Sequence, residues 1–164
     1  MASGGRREYG CIRNYLWVPA LEAKLFDLDR FTPYLLNRAA GRIVGAFEGE
    51  LALHKLSLGQ WRVLASVWHE GELTQAGISK HTSIDVSTLS RMLATLEKRG
   101  LLARERSVQD SRAVLVHLTS SGRKVAEDLI PKALAVEKRA LAGLADSDVQ
   151  RLHNMLRRMY ENFD

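Results

Sequence analysis

The chain has 164 residues, of which 46% are hydrophobic and 26% charged, so its length and composition predict one globular domain with a sizeable core. The same balance excludes a disordered chain. A formal net charge of +5 and a sequence pI near 9.6 favour a polyanionic partner.

Residues 1–30 are expected to form an N-terminal extension that is partly helical or flexible. The extension contains Cys11, the only cysteine, which excludes an intramolecular disulfide and fits a reducing compartment. The sequence shows no secretory signal and no long apolar span, so we expect a cytoplasmic protein without a membrane partner.

Two helices are predicted next. The first runs roughly from Phe31 to Ala52, and the second lies around Gln60 to His69. Apolar residues recur at helical spacing in the first helix, at Leu35, Leu36, Ala39, Ile43, Val44 and Phe47.

A pair of shorter helices follows. Thr74 is the expected N-cap of the first, which continues to His81 before the polar break Thr82–Ser83. The second lies within Asp85–Gly100, where Asp85 can cap the first turn and Gly100 can end the helix in a left-handed conformation. Two helices joined by a few turn-forming residues, the second longer and more basic, are typical of a helix-turn-helix.

The longer helix has an apolar face, which is predicted to be buried, and a polar face. The apolar face consists of Val86, Leu89, Met92, Leu93 and Leu96, and the polar face of Ser87, Arg91, Ala94, Thr95 and Lys98, with Thr88 at its margin. Hydroxyls bond base edges or phosphates, and arginine bonds guanine bidentately. Ser87, Thr88 and Arg91 are therefore the predicted base readers, and Thr95 and Lys98 the predicted positioning contacts. An ordinary solvated helix face has the same pattern, so the interpretation depends on the neighbouring elements.

Two strands are predicted at Leu101–Arg106 and Ala113–Leu118, and the polar loop between them is too long for a two-residue turn. The loop should project as a wing, with Arg106 and Arg112 placed to enter a minor groove or contact phosphate. Asp110 can orient a nearby guanidinium. A wing held together by a pair of Asp110 and Arg112, without a role in DNA binding, is an alternative interpretation.

Two long helices complete the chain, at Thr119 to about Gly143 and Asp146 to about Asn162. Thr119 is the expected cap of the first. Along the last helix an apolar stripe recurs at spacings of three and four, at Val149, Leu152, Leu156 and Met159. Such a stripe packs either in a core or against a second subunit.

In this order the motifs resemble the MarR family of bacterial transcriptional regulators. The resemblance is carried by Ser87–Thr88, Leu96–Leu102, Arg104, Asp110–Arg112 and Leu118–Gly122, which resemble a D-x-R wing followed by an L-T-x-x-G entry into a long helix. It is strongest from Leu73 to Gly122 and extends more loosely from Phe31 to the C-terminus. The sequence departs from the family pattern at His81–Ser83, a polar turn where an apolar residue often appears.

The resemblance implies a mainly α fold with a small β-wing, in one domain from residue 31 to 164. Residues 57–118 would form a winged helix-turn-helix DNA-binding lobe, and residues 31–56 and 119–164 would form dimerisation helices. A homodimer would bind a pseudo-palindromic double-stranded DNA operator, with recognition helices in successive major grooves about 34 Å apart. The expected function is a ligand-responsive regulator, a repressor released by a small-molecule effector.

The family places an effector site between the dimerisation helices and the DNA-binding lobe. The residues that this sequence offers there are Phe31, Leu35, Arg38, Arg42, Trp61, Leu64 and Trp68. Aromatic side chains beside arginine suit an aromatic acid or an aromatic acyl-CoA thioester. The competing interpretation is that the tryptophans pack in the core and the arginines are solvated.

The sequence gives little support to an enzymatic function. There is no G-x-x-x-x-G-K-[ST] phosphate loop, and His69–Glu70 lacks a second histidine at the zincin spacing, where Leu73 stands. The five histidines are scattered, so we predict no catalytic residue, no metal site and no cofactor. The alternative function is a winged-helix protein-interaction module without specific DNA binding.

Overall fold

The computed structural model describes residues 26–106 and 113–163. The chain divides into two compact units, residues 1–38 and 39–164. In the first unit, Asp27 caps a 3-10 turn at Leu28–Arg30, and the rings of Phe26 and Phe31 meet edge to face at 5.0 Å. The predicted limit between extension and domain, at residues 30 and 31, stays a prediction.

Six α-helices and three strands occur in the described residues. In chain order they are α1 (Thr32–Leu53), α2 (Leu58–Glu70), β1 (Glu72–Thr74), α3 (Gln75–Thr82), α4 (Val86–Lys98), β2 (Leu102–Arg106), β3 (Val114–Leu118), α5 (Ser120–Ala140) and α6 (Asp146–Glu161). The mainly α fold with a small sheet is thus confirmed. None of these helices combines the length and apolar character that a membrane span requires.

The sheet is antiparallel, in the order β1-β3-β2. β2 and β3 form the predicted hairpin, with Leu102 opposite Leu118 and Arg106 opposite Val114. The sequence pattern did not predict β1, whose Leu73 lies opposite Val116. A three-residue strand has no periodic pattern of its own, and its partner is distant in sequence, so only the folded chain reveals the pairing.

The hydrophobic core lies where α2, α3, α4 and α5 meet the sheet. Its fully buried side chains include Val63, Leu64, Val67, Ile78, Leu89, Leu93, Leu96, Val116 and Leu129. The predicted apolar face of α4 is therefore confirmed at its centre, but it was wrong at Val86, which is 57% exposed. Val86 is the first residue of α4, beside the N-cap and outside the packed turns.

The start of α5 packs directly on the backbone after α4. Thr119 caps α5 by accepting from the amide of Gly122 at 3.0 Å, and its own hydroxyl donates to the carbonyl of Gly100 at 2.6 Å. A Cβ at position 122 would lie 1.9 Å from the carbonyl oxygen of Leu101. The glycine of the L-T-x-x-G motif therefore permits a backbone approach that no other residue allows.

Candidate nucleic-acid interface

Side-chain hydrogen bonds hold the two helices of the helix-turn-helix together. Thr74 caps α3, as predicted, by accepting from the amide of Gly77 at 3.1 Å. The amide nitrogen of the Gln75 side chain donates to the carbonyl of Val86 at 3.2 Å, and the hydroxyl of Ser79 donates to the carbonyl of Ile84 at 2.7 Å. The bond from Gln75 reaches the first residue of α4, and the bond from Ser79 holds the turn, so together they fix the start of α4 against α3.

The polar turn that departs from the family pattern is accommodated in two ways. Thr82 is buried, but its hydroxyl donates to the carbonyl of Ile78 at 2.7 Å, so no polar group is left unpaired there. Ser83 ends α3 in the left-handed conformation, with φ of 54°.

Both ends of α4 are fixed as predicted. The carboxylate of Asp85 accepts from the hydroxyl of Ser87 at 2.7 Å and from the amide of Thr88 at 2.9 Å. The bond from Ser87 has the larger effect on the pKa of Asp85 and the bond from Thr88 the next largest. Together they hold this pKa far below its ordinary value, so the capping carboxylate is ionised at neutral pH. At the other end Gly100 has φ of 68°, and Leu101 donates to the carbonyl of Leu96 at 3.0 Å, which completes a Schellman motif.

The outer face of α4 carries the predicted DNA contacts, but their donors are not equally available. Ser87 donates to Asp85, and the hydroxyl of Thr95 donates to the carbonyl of Arg91 at 2.9 Å. These two hydroxyls therefore offer acceptor lone pairs to a ligand. The side chains of Arg91 and Lys98 are exposed and form no hydrogen bond or ion pair with any residue that the structure describes. Their positive charges thus remain available to a polyanion.

The predicted wing is described only at its base. Arg106 is exposed at the end of β2. Asp110 and Arg112 lie outside the described residues, so their predicted roles stay predictions.

The predicted effector residues of the second unit do not line a single cavity. Leu64 is fully buried in the core, and Trp61 is nearly so, with its ring 5.6 Å from that of Phe47. Trp68 is 38% exposed. In the first unit, Phe31 and Leu35 are exposed, and the guanidinium of Arg38 lies 5.4 Å from the ring centre of Tyr34.

Arg42 lines a groove of about 580 Å³ between α1 and α5. Arg139 of α5 lines the same groove, together with Gly41, Ile43, Gly45, Ala46, Val136 and Ala140. Two arginines in an otherwise apolar groove suit an anionic ligand. Arg139 was not predicted from the sequence, because an arginine next to Lys138 near a helix end has no distinguishing local pattern.

Four of the described histidines lie near a carboxylate, and one of these pairs, His117 with Glu105, is 3.7 Å apart. Nε2 of His54 lies 2.8 Å from Oδ2 of Asp128, whereas His69 and His81 approach Glu70 only at 3.7 and 4.0 Å. Across residues 26–106 and 113–163, no three histidine, cysteine or acidic side chains gather in an arrangement that could bind a metal ion.

Comparison with known proteins assigns these features to a family. The model of the MarR family matches residues 56–114, which span the helix-turn-helix and β2. The HTH-type transcriptional regulator YwaE of Bacillus subtilis is 30% identical over 128 residues, which cover 77% of this chain and 75% of YwaE. The chain belongs to the MarR family of transcriptional regulators. As a MarR-family protein it is a transcription regulator and not an enzyme.

A curated relative and a solved MarR-family structure resemble the chain over most of their length. The HTH-type transcriptional repressor IacR of Pseudomonas putida is 29% identical over 139 residues, covering 85% of this chain and 83% of IacR. A MarR-family regulator from Silicibacter pomeroyi superposes with a TM-score of 0.77 at 31% identity, over 87% of this chain and 95% of its own.

Two further solved structures concern ligands. Bordetella bronchiseptica BpsR, whose DNA binding is regulated by 6-hydroxynicotinic acid, has a TM-score of 0.72 at 30% identity, over 82% of this chain and 96% of its own. Rhodococcus jostii CouR, solved with p-coumaroyl-CoA, has a TM-score of 0.76 at 26% identity, and the match covers 81% of this chain and 94% of CouR.

Proposed function

We propose that this chain is a ligand-responsive repressor. It binds a pseudo-palindromic operator as a homodimer and leaves the operator when an aromatic acid, or an aromatic acyl-CoA thioester, binds. The observation that carries the proposal is the outer face of α4. This face presents the uncommitted side chains of Arg91 and Lys98 on a helix whose two ends and apolar side are fixed.

The proposed role of each residue on α4 follows from whether its hydrogen-bond donors are already used within the protein. Arg91 is the principal base reader, because its guanidinium can form two parallel bonds with guanine. Ser87 and Thr88 contribute acceptor oxygens near the leading end of the helix. Thr95 and Lys98 position the helix by contacting the sugar-phosphate backbone of the DNA. The proposed wing contacts are Arg106 and Arg112, with Asp110 orienting a guanidinium.

A second copy of the chain is the proposed partner of α6, which has no buried residue. Met155, Leu156 and Tyr160 are 55%, 36% and 52% exposed. Leu156 belongs to the predicted stripe, whose Val149, Leu152 and Met159 are half-buried, and Met155 and Tyr160 lie beside it. Covering this surface with a two-fold related copy would remove apolar surface from water and place two α4 helices on one face of the dimer. We therefore assign residues 31–56 and 119–164 to dimerisation and residues 57–118 to the DNA-binding lobe of one domain.

The effector proposal rests on the relatives and on the groove lined by Arg42 and Arg139. BpsR responds to an aromatic acid, and CouR binds an aromatic acyl-CoA. Both ligands are anionic, and both carry an aromatic ring. In this chain the two arginines would pair with the carboxylate or the phosphates of such a ligand.

DNA binding is tested by fluorescence anisotropy with fragments of the protein's own upstream region and an unrelated duplex, at two salt concentrations. We expect a site-selective and salt-sensitive complex. Arg91→Ala should lower affinity for the operator by tenfold or more and reduce sequence discrimination, whereas Lys98→Ala should weaken binding to both duplexes and flatten the salt dependence. Failure to bind any DNA would instead favour the protein-interaction module.

Effector binding is tested by thermal shift with aromatic acids and their thioesters, since a ligand selective for the native state raises the unfolding midpoint. Arg42→Ala should abolish the shift produced by an active compound, and Arg123→Ala serves as an exposed control on α5. An active compound should also release the operator. Equal shifts for both variants would remove Arg42 from the effector site.

A further inference from the structure

The C-terminal end of α1 lies beside the C-terminal end of α4. After Leu53 the chain closes in a Schellman motif, in which Lys55 donates to the carbonyl of Ala52 at 2.9 Å and Leu56 to that of Leu51 at 3.0 Å. Lys55 adopts φ of 52°, the left-handed conformation that glycine usually supplies. The carbonyls of His54 and Lys55 emerge from this turn without a partner inside the helix.

One arginine from the end of α4 binds both of these carbonyls. Nη2 of Arg99 donates to the carbonyl of His54 at 2.7 Å, and Nη1 donates to that of Lys55 at 2.8 Å. The guanidinium also places a positive charge at the negative end of the α1 dipole. Arg99 is itself the C-cap of α4, and its amide donates to the carbonyl of Thr95 at 3.2 Å. The same residue therefore terminates one helix and binds the end of the other.

The end of α1 is in turn anchored to α5. The carboxylate of Asp128 accepts from Nζ of Lys132 at 2.7 Å and lies 2.8 Å from Nε2 of His54, and Lys132 also pairs with Glu50 at 3.2 Å. The hydrogen bond from Lys132 holds the pKa of Asp128 below its ordinary value, and the contact with His54 contributes a smaller part. Polar contacts thus run without interruption from α5, through the end of α1, to the end of α4.

We propose that Arg99 is a positioning residue for DNA recognition, which sets the orientation of α4 by tying its end to the α1–α5 pair. The inference rests on the proposed function, because the orientation of α4 matters only if α4 reads DNA. A tie at one end of a rigid helix controls where Arg91, two turns away, meets the base edges.

Substitutions at Arg99 separate this role from a phosphate contact. Arg99→Lys keeps the charge but cannot form two parallel bonds, and Arg99→Gln removes the charge. Lys98→Gln removes the proposed phosphate contact one residue earlier, so it shows how the loss of such a contact changes affinity for both duplexes and the salt dependence. Arg123→Lys is the matched surface control. Each full-length variant is measured by anisotropy on the selected upstream fragment and an unrelated duplex over a salt series, and by amide hydrogen exchange.

We expect Arg99→Lys to lower operator affinity about tenfold, with unrelated-duplex affinity and salt slope unchanged. Amides at residues 54–56 and 99–101 should exchange faster than in the wild type and in Arg123→Lys. The inference is overturned if Arg99→Lys binds the operator like wild type, if exchange at both helix ends is unchanged, or if Arg99→Gln mimics Lys98→Gln while Arg99→Lys restores binding. Absence of site-selective binding by the wild type would overturn the proposed function instead.

Discussion

The close approach of Gly122 to the Leu101 backbone makes Gly122→Ala a severe substitution, although alanine is the better helix former. The added Cβ would lie 1.9 Å from the carbonyl oxygen and 2.8 Å from the carbonyl carbon of Leu101. Both contacts are with backbone, so no side chain can rotate away. The first turn of α5 and the chain after α4 would have to separate by about 1.5 Å to reach van der Waals contact.

The separation also stretches two hydrogen bonds across the same contact. Thr119 donates from its amide to the carbonyl of Leu101 at 3.2 Å and from its hydroxyl to that of Gly100 at 2.6 Å. Loss of each bond costs about 1 kcal/mol. Overpacking adds about 1 to 3 kcal/mol, and the better helix propensity of alanine returns about 1 kcal/mol. The expected net loss in the free energy of unfolding is about 2 to 4 kcal/mol.

Urea denaturation followed by far-ultraviolet circular dichroism measures this loss at a fixed protomer concentration, because the proposed dimerisation would make the midpoint depend on concentration. The thermal midpoint should fall by about 5 to 15 °C. Gly49→Ala is the matched control, because a Cβ there meets no described atom within 4 Å. That substitution in α1 should be neutral or raise stability by up to about 1 kcal/mol.

A Gly122→Ala midpoint within the error of wild type would refute the reasoning, provided that Gly49→Ala behaves as expected. The same result would show that α5 can move away from Leu101 without cost. It would also remove the steric explanation for glycine in the L-T-x-x-G motif.

Two smaller predictions concern helix ends. Lys55→Gly should raise the free energy of unfolding by about 1 kcal/mol in urea denaturation, since φ of 52° is strained for lysine, whereas Lys55→Ala, with the same strain, should give no gain. Asp85→Asn should preserve the α4 cap at neutral pH but change the acid response, because the ionised carboxylate stabilises the fold above its ordinary pKa of 3.8 and loses that contribution as pH falls below it. Thermal unfolding from pH 6 to pH 2 should therefore show a shallower acid decline for Asp85→Asn than for wild type, and parallel curves would contradict the assigned pKa shift.

Local sequence determined where the helices between Thr74 and Gly122 begin and end. Thr74, Asp85 and Thr119 cap helices because a short oxygen-bearing side chain reaches the first free amides, and Gly100 ends α4 because glycine tolerates positive φ. These interactions span a few residues, so the residue types and their spacing suffice to predict them. The MarR resemblance depended on the same local motifs.

Contacts between distant segments were decided only by the tertiary structure. β1 forms because Leu73 meets Val116, and Arg99 binds carbonyls more than forty residues earlier in the chain. Packing likewise decided which predicted effector residues a ligand can reach: Leu64 is buried in the core, whereas Arg42 lines the same groove as Arg139. Side-chain chemistry alone cannot distinguish an arginine that is solvated from one that crosses to another helix, because that difference arises from how the helices pack.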